Sequence, residues 1–151
     1  MYPVATGEHM RRIALIGCGK AKQLGTHKTR DLYTGALFTG ALAFAEATCD
    51  SALVLSAKHH VLELEQMVDY YDQRVAKGVR EQKVWAREVR RKLETIFAGT
   101  EPIRFVFLAG ADYVGPVVTS LGLRAHQYED PMHGLKLGER LAWLAAQKAS
   151  R

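Results

Sequence analysis

Three short, largely apolar runs, each closed by a cluster of small and polar residues, constrain the fold more than any other feature of the chain. Ile13-Ala14-Leu15-Ile16 stops at Gly17-Cys18-Gly19-Lys20-Ala21-Lys22. Ala52-Leu53-Val54-Leu55 stops at Ser56-Ala57-Lys58-His59-His60, and Ile103–Leu108 stops at Ala109-Gly110-Ala111-Asp112-Tyr113. Such runs, lacking a helical period, read as strands buried on both faces.

Helical patterns separate them. Leu37, Ala41, Phe44, Ala45 and Thr48 fall at helical spacing within a helix expected over Thr34 to Ala47. Gly78 opens a longer one, with Trp85, Val89, Leu93, Ile96 and Phe97 on its inner stripe and most of its basic residues elsewhere. A short helix is expected from Val114 to Leu121, with Pro116 tolerated only in its first turn. A terminal helix, Leu137 to Gln147, packs through Leu141, Leu144 and Ala145. Leu123 to His126 reads as a fourth strand, Val61–Asp72 as irregular chain and Tyr128–Gly134 as a loop.

Strands alternating with helices predict an α/β fold, a three-layer sandwich around a mostly parallel four-stranded central sheet. Open sheets of this kind bind ligands beyond the carboxyl ends of their strands. The three polar clusters are therefore expected to meet on one rim.

At 151 residues the chain fits a single domain over 11–151, preceded by a flexible leader, Met1–Met10, that lacks an apolar signal core. A formal net charge of +5 suits a polyanionic partner. Cys18 and Cys49, the only cysteines, form neither a disulfide framework nor a zinc-ligand pattern and read as reduced thiols of a cytoplasmic protein. No apolar run is long enough to span a bilayer.

The rim residues offer several kinds of chemistry. Gly17 and Gly19 permit close backbone approach. Lys20 and Lys22 suit a phosphate contact, an amine nucleophile or simply an exposed turn. The loop matches neither the Walker phosphate loop nor the dinucleotide fingerprint, so no nucleotide cofactor is implied. His59-His60 lacks metal-ligand spacing, but a strand-end histidine fits general acid–base work. Cys18 is either a nucleophile or a small filler. Asp72 and Asp112 are the carboxylates placed to activate water, although Asp112 also fits a helix cap. Tyr33, Tyr71 and Tyr113 suit stacking or hydrogen bonding to a ligand.

In series these motifs resemble a known group. The order is Ile16-Gly17-Cys18-Gly19-Lys20-Ala21-Lys22, Arg30-Asp31-Leu32-Tyr33-Thr34-Gly35 with Phe38, Leu55-Ser56-Ala57-Lys58, Tyr71-Asp72, and Ala109-Gly110 with Tyr113. It resembles a family of small bacterial and phage proteins allied to the YaaA peroxide-stress proteins. It is also similar to the lysine-bearing domain of archaeosine synthase, whose Cys-Ser-x-x-Lys motif Cys18 and Lys22 match, with Gly19 in place of the serine. The related proteins read Leu-Ser-Ala-x-x-Gly-Leu-Leu-x-Pro after the second strand, where this chain has His60 for the glycine and Leu64 for the proline.

The resemblance implies a uracil-DNA-glycosylase-like architecture and chemistry on nucleobases or nucleic acid. The expectation that follows is a cofactor-independent, metal-free DNA N-glycosylase, acting as a monomer on a hypermodified base of phage DNA such as glucosylated hydroxymethylcytosine. Its expected catalytic residues are Lys22, Asp72, Asp112 and His59. Expected to hold substrate are Cys18, Gly19, Lys20, Asp31, Tyr33, Ser56, Tyr71, Gly110, Tyr113 and His133. A non-catalytic DNA-binding stress protein and a lysine-dependent nucleobase-modifying transferase are the alternatives.

Overall fold

The computed structural model describes residues 10–75, 77–99 and 102–151. The expected leader, apart from Met10, lies outside the described residues. In chain order the elements are β1 (Arg11–Gly17), β2 (Thr26–Lys28), α1 (Thr29–Leu32), α2 (Ala36–Thr48), β3 (Ser51–Ser56), β4 (His60–Glu63) and β5 (Met67–Asp69). There follow α3 (Val79–Ile96), β6 (Ile103–Leu108), α4 (Ala111–Leu121), a 3-10 turn over Ala125–Gln127, β7 (Tyr128–Glu129) and α5 (Leu137–Ala149).

The main sheet has five strands in the order β4-β3-β1-β6-β7. β1 lies between β3 and β6 and is parallel to both, and β7 is parallel to β6, while β4 runs antiparallel at the far edge. Ile13, Ala14, Leu15 and Ile16 are wholly buried because helices cover both faces of this central strand. Ala14, Ile16, Val54 and Val106 face α2 and α5, meeting Phe38, Ala41, Phe44 and Leu144. Ile13, Leu15, Phe105 and Phe107 face α3 and α4, meeting Trp85, Val89, Leu93 and Val117.

Several details differ from the sequence pattern. The sheet has five strands rather than four, because the stretch expected to be irregular contains β4. A three-residue turn carries the chain from Ser56 to its partner His60, which adopts a left-handed φ of 66°. Three-residue hairpins place a left-handed residue here and favour glycine. Histidine tolerates the region better than most side chains. The strand expected over Leu123–His126 is instead the 3-10 turn, and the strand follows it at Tyr128.

α4 begins at Ala111, so Pro116 stands in its second turn rather than its first. On α3, Ile96 is exposed while Ala86 takes the inner position. On α5, Ala145 is exposed and Trp143 packs edge-on against Phe44, ring centres 5.1 Å apart. Among the described residues no helix is long and apolar enough to cross a membrane.

A separate two-stranded ribbon, β2 with β5, sits beside the sheet. Hydrogen bonds from the Thr29 and Arg30 amides to the Gln66 and Leu64 carbonyls extend the link. Arg30 also pairs with Glu46 and Glu65. The ribbon thereby fixes the segments leading to Tyr33 and Tyr71 next to each other.

The chain leaves β1 towards β3 on one side and returns across it, through α3, to β6 on the other. The strand order therefore reverses between β1 and β6, and a crevice opens at their carboxyl ends. The two strands come very close there. A Cβ on Gly17 would lie 3.0 Å from the Cβ of Ala109 and 3.2 Å from its Cα. Gly17→Ala should therefore destabilise the protein by about 1 to 3 kcal/mol through overpacking, read as a lower urea midpoint at unchanged slope. An unchanged midpoint would show that the strand ends have room to separate.

Candidate active site

The crevice holds two adjoining spaces. The larger is an open cleft of about 350 Å³ lined by Cys18, Gly19, Lys20 and Lys22 after β1, by Asp112 and Tyr113 at the start of α4, and by Asp72, Gln73, Arg74, Val75 and Lys77. The smaller, about 80 Å³, lies over Gly17 and Gly110 and is lined by Leu37, Phe38, Ala41, Leu108, Ala109, Met132 and Arg140. Cys18, Gly19 and Tyr113 belong to both.

The loop after β1 is ordered by backbone bonds. The Cys18 amide extends the pairing with β3 by donating to the Leu55 carbonyl at 2.9 Å. The chain then folds back on itself. Lys22 bridges Tyr33, the Gln23 amide donates to Leu32, and the Thr34 amide donates to Ala21. This return sets the Lys22 ammonium 4.8 Å from the ring centre of Tyr71 and 5.9 Å from that of Tyr33, a double cation–π contact. Lys22 Nζ also donates to the Lys20 carbonyl at 3.3 Å.

Beneath this lysine runs a buried chain of hydroxyls. The His59 amide donates to Ser56 Oγ at 3.0 Å, Ser56 Oγ and Tyr71 Oη share a hydrogen bond of 2.8 Å, and Tyr71 Oη shares another with Tyr33 Oη. The Trp85 indole donates to the Ser56 carbonyl at 3.0 Å. Tyr113 sits on the other side, its hydroxyl 3.1 Å from Cys18 Sγ and its ring edge-on to Trp85. Burial, the dominant cause, pushes the Tyr33 phenol up to about 12 and raises Tyr71 and Tyr113 further. All three are neutral hydrogen-bonding groups across the physiological range.

Of the expected catalytic residues, Lys22, Asp72 and Asp112 line the same cleft. Both carboxylates are exposed, and neither forms an ion pair or side-chain hydrogen bond among the described residues. Asp112 lies in the first turn of α4, whose N-cap is Gly110, so it is not the cap. His59 does not join them. Its ring packs edge-on against Tyr71, 5.3 Å between centres, away from the cleft lining. Burial first, then Lys58 and Lys92, lower its pKa below the ordinary histidine value, as burial does for His60.

Of the expected substrate-binding residues, Cys18, Gly19, Lys20 and Tyr113 line the cleft, and Gly110 the inner cavity. Tyr33, Ser56 and Tyr71 are buried beneath, supporting the site rather than presenting open ring faces. Asp31 is exposed on α1, where its carbonyl accepts from Gln23, and it lines neither space. His133 is also outside, paired with Asp130 on the surface. Among the described residues no three His, Cys, Asp or Glu side chains are grouped to hold a metal ion.

Sequence patterns did not single out Gln73, Arg74, Lys77, Met132 or Arg140. For Arg140 a signal was present, since it stands three and four residues before Trp143 and Leu144 on the packed face of α5. Its Nε and Nη1 donate to the Leu135 and Ala109 carbonyls at 2.9 and 3.0 Å. The residues after Tyr71 belong to no regular element, so no periodicity marked them.

The raised phenols have a consequence for stability. A tyrosine whose folded pKa exceeds its unfolded value binds more protons when folded, so its contribution is complete below about pH 10. It disappears as pH rises towards the folded value, about 12 for Tyr33. Denaturation midpoints should hold steady from pH 7 to 9 and then fall steeply, and Tyr33→Phe should make the fall shallower. A wild-type midpoint independent of pH up to 11 would contradict the buried hydroxyl chain.

No curated protein matches the chain in sequence. A protein-family profile does, over residues 13–146, which spans β1 through most of α5 and includes every residue lining the cleft. The chain belongs to that family, DUF6884, described as a family of unknown function.

Proposed function

We propose that the protein is a DNA N-glycosylase that excises a modified base, such as a glucosylated hydroxymethylcytosine, from phage DNA as part of antiviral defence. One observation carries the reading. The crevice where the strand order reverses gathers Asp72 and Asp112, neither in an ion pair among the described residues, with Lys20, Lys22, Arg74 and Lys77 in one cleft. Its volume of about 350 Å³ falls in the usual range for small-molecule sites. The sequence resemblances to YaaA and archaeosine synthase, and the glycosylase-like architecture they imply, point to the same substrate class.

In this mechanism the target nucleotide leaves the stack and its base enters the cleft. Asp72 or Asp112 takes a proton from water as its oxygen bonds to C1′. The C1′–N bond breaks, and the base departs with the bonding pair and gains a proton from solvent. The same carboxylates stabilise the oxocarbenium-like sugar. The cation–π contact of Lys22 suits a phosphate contact over an amine nucleophile. Arg74 and Lys77 add to the duplex affinity, which weakens with salt. The protein acts as a monomer, in the cytoplasm.

Incubation with unmodified, hydroxymethylated and glucosylated phage DNA, followed by cleavage at abasic sites, tests the proposal. Strand breaks should appear only in modified DNA, and replacing the general base, Asp72→Asn or Asp112→Asn, should slow them by about 10²- to 10⁴-fold. Intact DNA in all three samples would sink the glycosylase reading and leave salt-sensitive binding without base release. Borohydride should trap no covalent adduct. An adduct lost in Lys22→Ala would instead make that lysine the nucleophile.

A further inference from the structure

We infer that the inner cavity is a specificity subsite, taking a small oxygen-bearing substituent of the ring held in the cleft, with Arg140 as the hydrogen-bond donor. This deepens the proposed function and rests on it for the nucleobase ring.

Size comes first. The cavity is about 80 Å³. An apolar cavity of ~150 Å³ holds a benzene ring of six heavy atoms. The inner space therefore admits about two or three heavy atoms and no ring. The ring of a base must therefore stay in the outer cleft.

The lining then selects the chemistry. Leu37, Phe38, Ala41, Leu108 and Met132 make apolar walls, and Arg140 is the cationic side chain among the lining residues. A guanidinium carries five N–H donors in a fixed fork. Two of these are taken by the Leu135 and Ala109 carbonyls, which also fix its orientation. Among the described residues Arg140 has no carboxylate partner, so three of its N–H donors are not engaged by these two bonds. A phosphate would lose its hydration against the apolar walls, at high cost. A methyl group would fill the space but leave the donors unmet. Hydroxymethyl and formyl groups satisfy both requirements.

Position completes the case. Both spaces share Cys18, Gly19 and Tyr113, so a substituent on a ring in the cleft meets the inner cavity beside the Cys18–Tyr113 hydrogen bond.

The test is equilibrium binding of free bases to the ¹⁵N-labelled full chain, read at the amides of Gly17, Gly19 and Gly110. The probes are cytosine, 5-methylcytosine and 5-hydroxymethylcytosine. The hydroxymethyl base should bind about tenfold tighter than the other two, the worth of a hydrogen bond to a charged donor. Arg140→Met should reduce it to the level of 5-methylcytosine. Ala41→Leu, which enlarges a side chain lining the cavity, should bring both substituted bases down to or below cytosine. It also carries the test if Arg140→Met fails to fold. Equal binding of the three bases, a preference that survives Ala41→Leu, or no saturable shift at these amides would overturn the subsite. None of these measurements requires base release. Abasic sites without a binding preference overturn the subsite alone, and a preference without abasic sites overturns the glycosylase alone.

Discussion

The contact between Gly17 and Ala109 is the constraint on which the site depends. Two parallel strands that stay in register to their carboxyl ends deliver their following loops to the same level. Here the register runs from Arg11 opposite Ile103 to Ile16 opposite Leu108, and no side chain at Gly17 forces the ends apart. From that level α2 departs to one face of the sheet and α4 to the other. The space between them is a consequence of the topology, and no individual loop residue is needed to create it. Loop residues decide only what chemistry fills it.

A second layer of support comes from the hydroxyl chain under Lys22. Three buried oxygens, on Ser56, Tyr71 and Tyr33, come from three separate segments: the end of β3, the stretch after β5 and the end of α1. Polar groups buried in a low-dielectric interior are costly unless all are satisfied. Their mutual bonding therefore specifies how the ribbon of β2 and β5 docks on the sheet. That ribbon is small and would not hold its place by apolar contact alone. Lys22 lies over the resulting pair of rings, so a cation at the mouth of the cleft is positioned by a network that ends at the backbone of His59.

What could be read from the chain divides along physical lines. β1, β3 and β6 are buried on both faces and announce themselves as uninterrupted apolar runs. Their polar ends identified the rim, and with it Cys18, Lys22, Asp112 and Tyr113. Elements held by pairing rather than burial left weaker marks. β4 has four residues and β7 two, too short to show an alternation, so an edge hairpin looked like irregular chain. Asp72 was recognised beside Tyr71, yet Arg74 and Lys77 on the same stretch were not. An exposed cation in an irregular segment looks the same whether it borders a cleft or bulk water. His59 and His133 illustrate the converse case. Residue type suggested chemistry, whereas packing against Tyr71 and pairing with Asp130 account for where they sit.

The composition of the cleft bears on whether it binds or reacts. A surface whose task is to hold a polyanion gains from Lys20, Lys22, Arg74 and Lys77 and loses from every carboxylate among them, since like charges repel phosphate at these ranges. Asp72 and Asp112 could have reduced that penalty by pairing with the neighbouring cations. Among the described residues they make no such pair. Two carboxylates left unneutralised in a basic cleft cost affinity for nucleic acid, and a purely electrostatic binding role offers no return for that cost. A reaction that develops positive charge on the bound substrate does, because an oxocarbenium-like sugar is stabilised by the same negative groups that weaken ground-state binding. That is the pattern expected where interactions are stronger in the transition state than in the bound substrate. That mixture of charges favours chemistry over simple anion binding at the cleft.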